Sequence, residues 1–292
     1  MTLSVYNLLI GPFAGSGFMR IALAACLGLA LANGPIGILL LLRRMARDGD
    51  VLSHAVMPGA ALGFVYAGHS LLALSTGGLI SGAIVAGLAG LLARARRRND
   101  DTGLVAFYLV TLALGVMLVA RYGGNADTVR VLFGTVLAID VAALLQIAAV
   151  SSLTMLSLAL FYRPLVAGSF DPVFLRLAGG RGMGGLFMAL VLLNLVVSFQ
   201  AFGTLLAIGP MLLPAAAARC WTHRPGTMIA LASTLGMLSS TIGLLMSYHL
   251  NLPSGPVIVM AAGVFYGFSL AITGIAARAS GWGRADTKGN DP

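Results

Sequence analysis

The sequence predicts an all-α, polytopic helical membrane protein with eight or nine transmembrane helices. Of its 292 residues, 59% are hydrophobic and only 9% are charged, whereas a soluble domain carries roughly 25% charged residues. The mean hydropathy is +0.96. Fifteen of the 18 basic residues fall in five clusters that separate or follow apolar runs, at 43–47, 94–98, 163–181, 219–224 and 278–288. This is the positive-inside distribution, and it places the five clusters in the cytoplasm.

The same composition excludes several functions. A net charge of +9 suggests nucleic acid, but Lys288 is the single lysine and no soluble basic face is present, so membrane lipid rather than nucleic acid is the expected contact. The chain contains no glutamate, which excludes an HExxH metalloprotease motif. It also contains no GxxxxGK[ST] loop, so any energy from ATP must come through a separate subunit.

In chain order, residues 1–17 form an N-terminal interfacial segment that Gly11-Pro12 interrupts, with no removable signal peptide expected. Residues 18–277 form the transmembrane domain, and residues 278–292 a polar cytoplasmic tail. Gly209-Pro210 and Pro214 are predicted to break or bend the seventh apolar run. Alternation of the apolar runs between the five cytoplasmic clusters gives eight or nine spans. The apolar runs are 18–42, 51–68, 71–93, 103–120, 136–161, 186–202, 203–218, 227–248 and 256–277.

The second apolar run carries Asp50 at its start and His54 one turn later. Residues at i and i+4 share a helix face. His54 lies ten residues beyond Arg44, about 15 Å deeper at about 1.5 Å per residue, near the middle of a hydrocarbon core of about 30 Å. Ionisable groups at that depth usually serve a function, and a carboxylate with an imidazole suits first-row divalent metals. The alternative is a structural pair, in which Asp50 caps the helix or meets Arg47 while His54 bonds to a neighbouring helix.

The cytoplasmic loop at 163–182 is predicted to contain one short helix. Asp171-Pro172 favours a helix start, because a carboxylate can cap the helix and proline is tolerated in the first turn. Gly179-Gly180 favours a stop, which leaves a short helix over 173–178 outside the bilayer. From these residues alone, an ordinary surface loop remains the alternative.

A resemblance to a known family is carried by residues 43–63. Arg-Arg-Met-Ala, then Gly-Asp, Leu-Ser-His-Ala and Pro-Gly-Ala-Ala-Leu-Gly, resembles the membrane permease subunits of bacterial zinc, manganese and iron ABC importers. Asn125 and Asp127, shortly before Leu-Phe-Gly at 132–134, are similar to the same family. The likeness extends over about 18–277.

This resemblance implies specific roles and partners. Asp50 and His54 would contact a transported divalent metal, and Asp127 would be either an outer contributor or a loop cap. No permanently bound cofactor is expected. The implied partners are cytoplasmic ATPase subunits, a soluble metal-binding delivery protein and a second copy of the chain, in the bacterial cytoplasmic membrane. The segment that docks on the ATPase would comprise Ser169, Phe170, Asp171, Pro172, Val173, Phe174, Leu175 and Arg176.

Two rival functions stay open at this point. An ATPase-independent secondary transporter or channel for a metal cation could use the same pair of ligands. An intramembrane metallohydrolase could also use Asp50 and His54, although neither a third strong ligand nor a general base is evident nearby. Zinc, manganese and iron are not distinguished, since aspartate and histidine bind all three.

Overall fold

A computed structural model of the protein describes residues 10–68, 70–95, 102–122, 134, 136–170, 182–203 and 206–285, with side chains at 89–95, 102–108 and 275–285 outside this description. Within these ranges the secondary structure is helical and contains no strand, so the all-α prediction is confirmed. A 3-10 turn at Val136–Ala138 precedes α6. The helices are α1 (Gly11–Gly15), α2 (Gly17–Leu42), α3 (Ala46–Ala67), α4 (Leu71–Ala95), α5 (Thr102–Tyr122), α6 (Val141–Phe170), α7 (Met183–Phe202), α8 (Gly209–Trp221), α9 (Pro225–Leu250) and α10 (Ser254–Ala285).

Six of the described helices, α2, α4, α6, α7, α9 and α10, are long and apolar enough to cross a membrane. The predicted count of eight or nine is not confirmed. α3 has 22 residues, but Arg47, Asp48, Asp50 and His54 lower its hydropathy. α8 has 13 residues, or about 20 Å, which is too short to cross about 30 Å of hydrocarbon. The break predicted in the seventh run therefore lies ahead of Gly209, where Gly203 has a φ of 81°.

Two helices continue into segments predicted to be loop or tail. α6 runs to Phe170, nine residues past the predicted end, with a kink where Phe161 leaves helical geometry at φ −113° and ψ 20°. Because of this kink, Pro164 lies in the first turn of a new helical piece, where its missing N–H is tolerated. α10 likewise continues to Ala285, into the tail predicted from residue 278.

α7 occupies the middle of the packing, with contacts to α2, α3, α4, α6 and α10. α2 is also largely buried, between α6, α8 and α9. α3 packs along α4 and α5 on the other side of α7. This arrangement surrounds the first half of α3 with other helices, and every residue from Val51 to Ala61 on it is buried.

The contact between α3 and α4 depends on glycine. A Cβ built on Gly59 would collide with the carbonyl oxygen of Gly77, and a Cβ on Gly77 would collide with that of Gly59. Gly63 approaches the carbonyl of Ala73 in the same way one turn further along. Small residues permit such backbone contact, which supplies the van der Waals packing that holds helices together in lipid.

Candidate metal site

The site helix starts from a tight corner formed by the basic cluster. Arg43 ends α2, and Arg44 takes a left-handed backbone with a φ of 57°. The Met45 N–H then donates to the Leu40 carbonyl at 2.9 Å. A Cβ on Gly49 would lie 2.6 Å from Cδ2 of Leu40, so the first turn of α3 packs directly on the end of α2. This corner fixes the position from which Asp50 projects.

Asp50 and His54 lie on one face of α3, as the spacing predicts. Asp50 Oδ1 is 3.8 Å from His54 Nε2, with the His54 side chain 6% exposed and the Asp50 side chain 51% exposed. An ion about 2.1 Å from each of two ligand atoms would hold those atoms roughly 3.0–3.5 Å apart. A small side-chain rotation would therefore bring both atoms onto one ion. The carboxylate of this pair is half-exposed and its imidazole is buried.

Neighbouring residues change the backbone hydrogen bonding around His54. Pro58 has no N–H to donate to the His54 carbonyl one turn earlier, so the helical ladder is interrupted at the site residue. On the next carbonyl, that of Ala55, Ser81 Oγ of α4 donates a hydrogen bond of 2.7 Å. Ser53 Oγ donates to the Asp50 carbonyl at 2.7 Å and is not aimed at a reacting centre. This geometry gives no nucleophile next to His54.

No other predicted metal ligand is found beside Asp50 and His54 in the described part of the chain. Across the described ranges, no group of three or more His, Cys, Asp or Glu side chains could hold a metal. Asp127 lies outside the described residues, as does the coupling segment from Asp171 to Arg176. Ser169 and Phe170 are described and form the last turn of α6. Two ligands from this chain suit transient binding better than a hydrolytic centre, which needs a third ligand or a base.

A second polar cluster, not identified from the sequence, joins α4, α6 and α7. Ser75 Oγ accepts hydrogen bonds from Gln146 Nε2 at 2.5 Å and Gln200 Nε2 at 2.7 Å. Val196, one turn before Gln200, packs near Val56 and Gly78 at the level just beyond His54. The sequence does indicate this cluster in part, because it has two glutamines within apolar runs, where polar side chains usually have a partner. The identity of that partner could not be predicted, because it lies on another helix.

Several apolar helices long enough to cross a membrane pack with α3, which carries a half-exposed carboxylate and a buried imidazole on one face. This arrangement defines a polytopic helical membrane protein with a candidate ion-binding pair. The chain belongs to the ABC 3 transport family, whose model matches residues 16–273. The family resemblance carried by residues 43–63 is confirmed, and the chain is a multi-pass transport subunit of the cytoplasmic membrane, not an enzyme.

Relatives and solved structures agree with this assignment. The chain is 33% identical over 262 residues to the manganese import system permease protein ScaB of Streptococcus parasanguinis, covering 87% of this chain and 90% of that protein. It is 32% identical over 252 residues to the manganese transport system membrane protein MntC of Listeria innocua, covering 86% and 89%. The structure of PsaBC from Streptococcus pneumoniae in complex with Fab superposes with a TM-score of 0.82 at 28% identity, over 90% of this chain and 94% of that chain.

Proposed function

We propose that this chain is the membrane-spanning subunit of an importer that moves a divalent transition metal into the cytoplasm at the expense of ATP hydrolysed by separate subunits. The observation that carries the proposal is the pair formed by half-exposed Asp50 and buried His54 on one face of α3, in a chain of this family. Two ligands bind an ion weakly enough to release it, which transport requires.

Manganese is the metal we propose first. The relatives at 33% and 32% identity are named for manganese. The Asp50 oxygen is a hard ligand of the kind that manganese accepts, and imidazole nitrogen does not exclude manganese. Zinc and iron are the competing substrates, and a delivery protein outside the membrane would set part of the selectivity.

The proposal includes the rest of an importer. Residues 18–277 would form one half of a pore completed by a second copy of the chain. The segment 169–176 would dock on the ATPase subunits, and a soluble protein would deliver the ion to the outer face. Asp127, in the segment between α5 and α6, would contribute to the outer entrance. ATP binding and hydrolysis would then alternate access to the Asp50 and His54 pair.

The test is metal accumulation in cells that express this chain with its ATPase subunit and delivery protein. We expect manganese to accumulate only with a hydrolysis-competent ATPase, and zinc and iron to stay at the level of cells without the chain. An Asp127→Asn variant should raise the manganese concentration needed for half-maximal uptake and leave the maximal rate near that of the unmodified chain. The control is the same complex with a hydrolysis-dead ATPase.

Other outcomes would contradict the proposal in distinct ways. Accumulation that ignores the ATPase and follows the proton gradient would establish a secondary transporter instead. Accumulation of zinc or iron alone would overturn the choice of manganese, and no change in any metal would overturn the substrate class.

A further inference from the structure

Arg43 contacts three groups on the end of α6 and the start of α7. Its Nε donates to Ser169 Oγ at 3.2 Å, and one terminal nitrogen donates to the Leu165 carbonyl at 3.2 Å. Its guanidinium carbon lies 4.0 Å from the centre of the Phe187 ring. Burial lowers the pKa of Arg43, but an arginine remains protonated in proteins. A half-buried charge therefore binds the end of α6 and the start of α7 to the end of α2.

These contacts lie immediately before the proposed ATPase-docking segment. Leu165 and Ser169 form the last turns of α6, and Asp171 follows Phe170 directly. Ser169 Oγ also donates to the Leu165 carbonyl at 2.9 Å, so Arg43, Ser169 and Leu165 form one closed set of hydrogen bonds. A movement of residues 171–176 that displaces the end of α6 would therefore act on this set.

In sequence, Arg43 is also close to α3, the helix that carries Asp50 and His54. Arg44 and Met45 are the two residues between Arg43 and the start of α3, so the connection is short. The hydrogen bond from Met45 to Leu40, and the packing of Gly49 on Leu40, tie the corner to the end of α2. Asp50 is the residue after Gly49. A displacement of Arg43 would thus move Asp50, the first residue of the proposed metal pair, which lies within two helical turns of it.

We propose that Arg43 is the positioning residue that transmits movement of the ATPase-docking segment to the helix that carries Asp50 and His54. The inference rests on the proposed importer function and adds a residue to it that touches neither the metal nor ATP. An arginine suits this place because its planar group can donate in two directions while its face covers an aromatic ring. Loss of Arg43 should therefore separate ATP hydrolysis from transport.

The experiment uses the complete complex, with ATPase subunits and delivery protein, reconstituted into proteoliposomes with manganese as the probe. ATP hydrolysis and manganese uptake are measured on the same preparation, and the readout is manganese moved per ATP hydrolysed. For Arg43→Gln we expect at least half of the hydrolysis rate, and a fall in that ratio of about tenfold, in line with the loss of hydrogen bonds from a charged donor. A purely structural role would lower both rates together and leave the ratio unchanged.

Matched variants complete the design. Arg44→Gln removes the same charge from the same corner, and its exposed side chain makes none of the three contacts, so its ratio should equal that of the unmodified chain. Ser169→Ala should lower the ratio only about threefold, because Arg43 keeps its hydrogen bond to the Leu165 carbonyl and its contact with Phe187. This variant carries the test if Arg43→Gln fails to assemble. The double variant should be no worse than Arg43→Gln alone, because both side chains act in one set.

Three results would overturn the inference. These are an unchanged ratio in both Arg43→Gln and Ser169→Ala, an equal fall in Arg44→Gln, or fully additive losses in the double variant. Uptake by the unmodified complex that needs no ATP is a different failure. It would refute the importer proposal before any variant is compared.

Discussion

Replacement of His54 by alanine is expected to abolish metal uptake while the complex still assembles. The His54 imidazole is the buried member of the proposed pair of metal ligands on α3. Without it, Asp50 would be the one remaining ligand of that pair. Loss of a partner that merely orients a metal ligand lowers metal affinity about 10- to 100-fold, so loss of a ligand itself should cost at least about 100-fold. Asp50→Asn should have a similar effect, since it removes the charge and keeps the shape.

The measurement is manganese uptake, with copurification of the ATPase subunits as the test of assembly. Because His54→Ala also leaves a space in a packed helix interface, His54→Gln is the volume-conserving second variant. Ser53→Ala is the matched control, because it removes a hydrogen bond to the Asp50 backbone carbonyl while its side chain points about 100° away from His54. Normal transport by both Asp50→Asn and His54→Gln would show that the metal does not bind here.

The helices were readable from the sequence because each apolar run is bounded by charge, glycine or proline. The predicted start of the first span, residue 18, lies one residue from the observed start of α2 at Gly17. The common face of Asp50 and His54 could be predicted because helix periodicity alone places residues four apart on one face. The sequence was sufficient for features that depend on residues within one or two helical turns of each other.

Features that depend on distant residues were not readable. The continuation of α6 to Phe170 follows from the kink at Phe161 and from Arg43 bonding to Ser169, a contact between residues 126 positions apart. Ser75 and the two glutamines that bond to it come from three different helices. The predicted count of eight or nine spans is not confirmed in the described residues, because α3 carries charged side chains and α8 is short. Such helices are tolerated in a membrane only where other helices surround them.

A single methyl group at Gly59 or Gly77 is expected to destabilise the protein, against the trend of helix propensity. Alanine favours a helix over glycine by about 1 kcal/mol, so propensity alone predicts that Gly59→Ala and Gly77→Ala stabilise α3 and α4. Here each new Cβ would overlap a backbone carbonyl of the opposing helix. A backbone atom cannot rotate away as a side chain can. Overpacking costs about 1–3 kcal/mol, and we expect a net loss near the upper end of that range.

The measurement is the thermal midpoint of the detergent-solubilised complex, with Gly87→Ala and Gly263→Ala as controls. Both control glycines are in membrane-crossing helices, and a Cβ on either meets no atom within 4 Å, so propensity should leave their midpoints equal to the unmodified protein or higher. Gly59 is five residues from His54, so a displaced α3 should also lower uptake in Gly59→Ala and Gly77→Ala. If their midpoints match those of the controls, α3 and α4 do not meet backbone to backbone, and the close packing beside Asp50 and His54 is refuted.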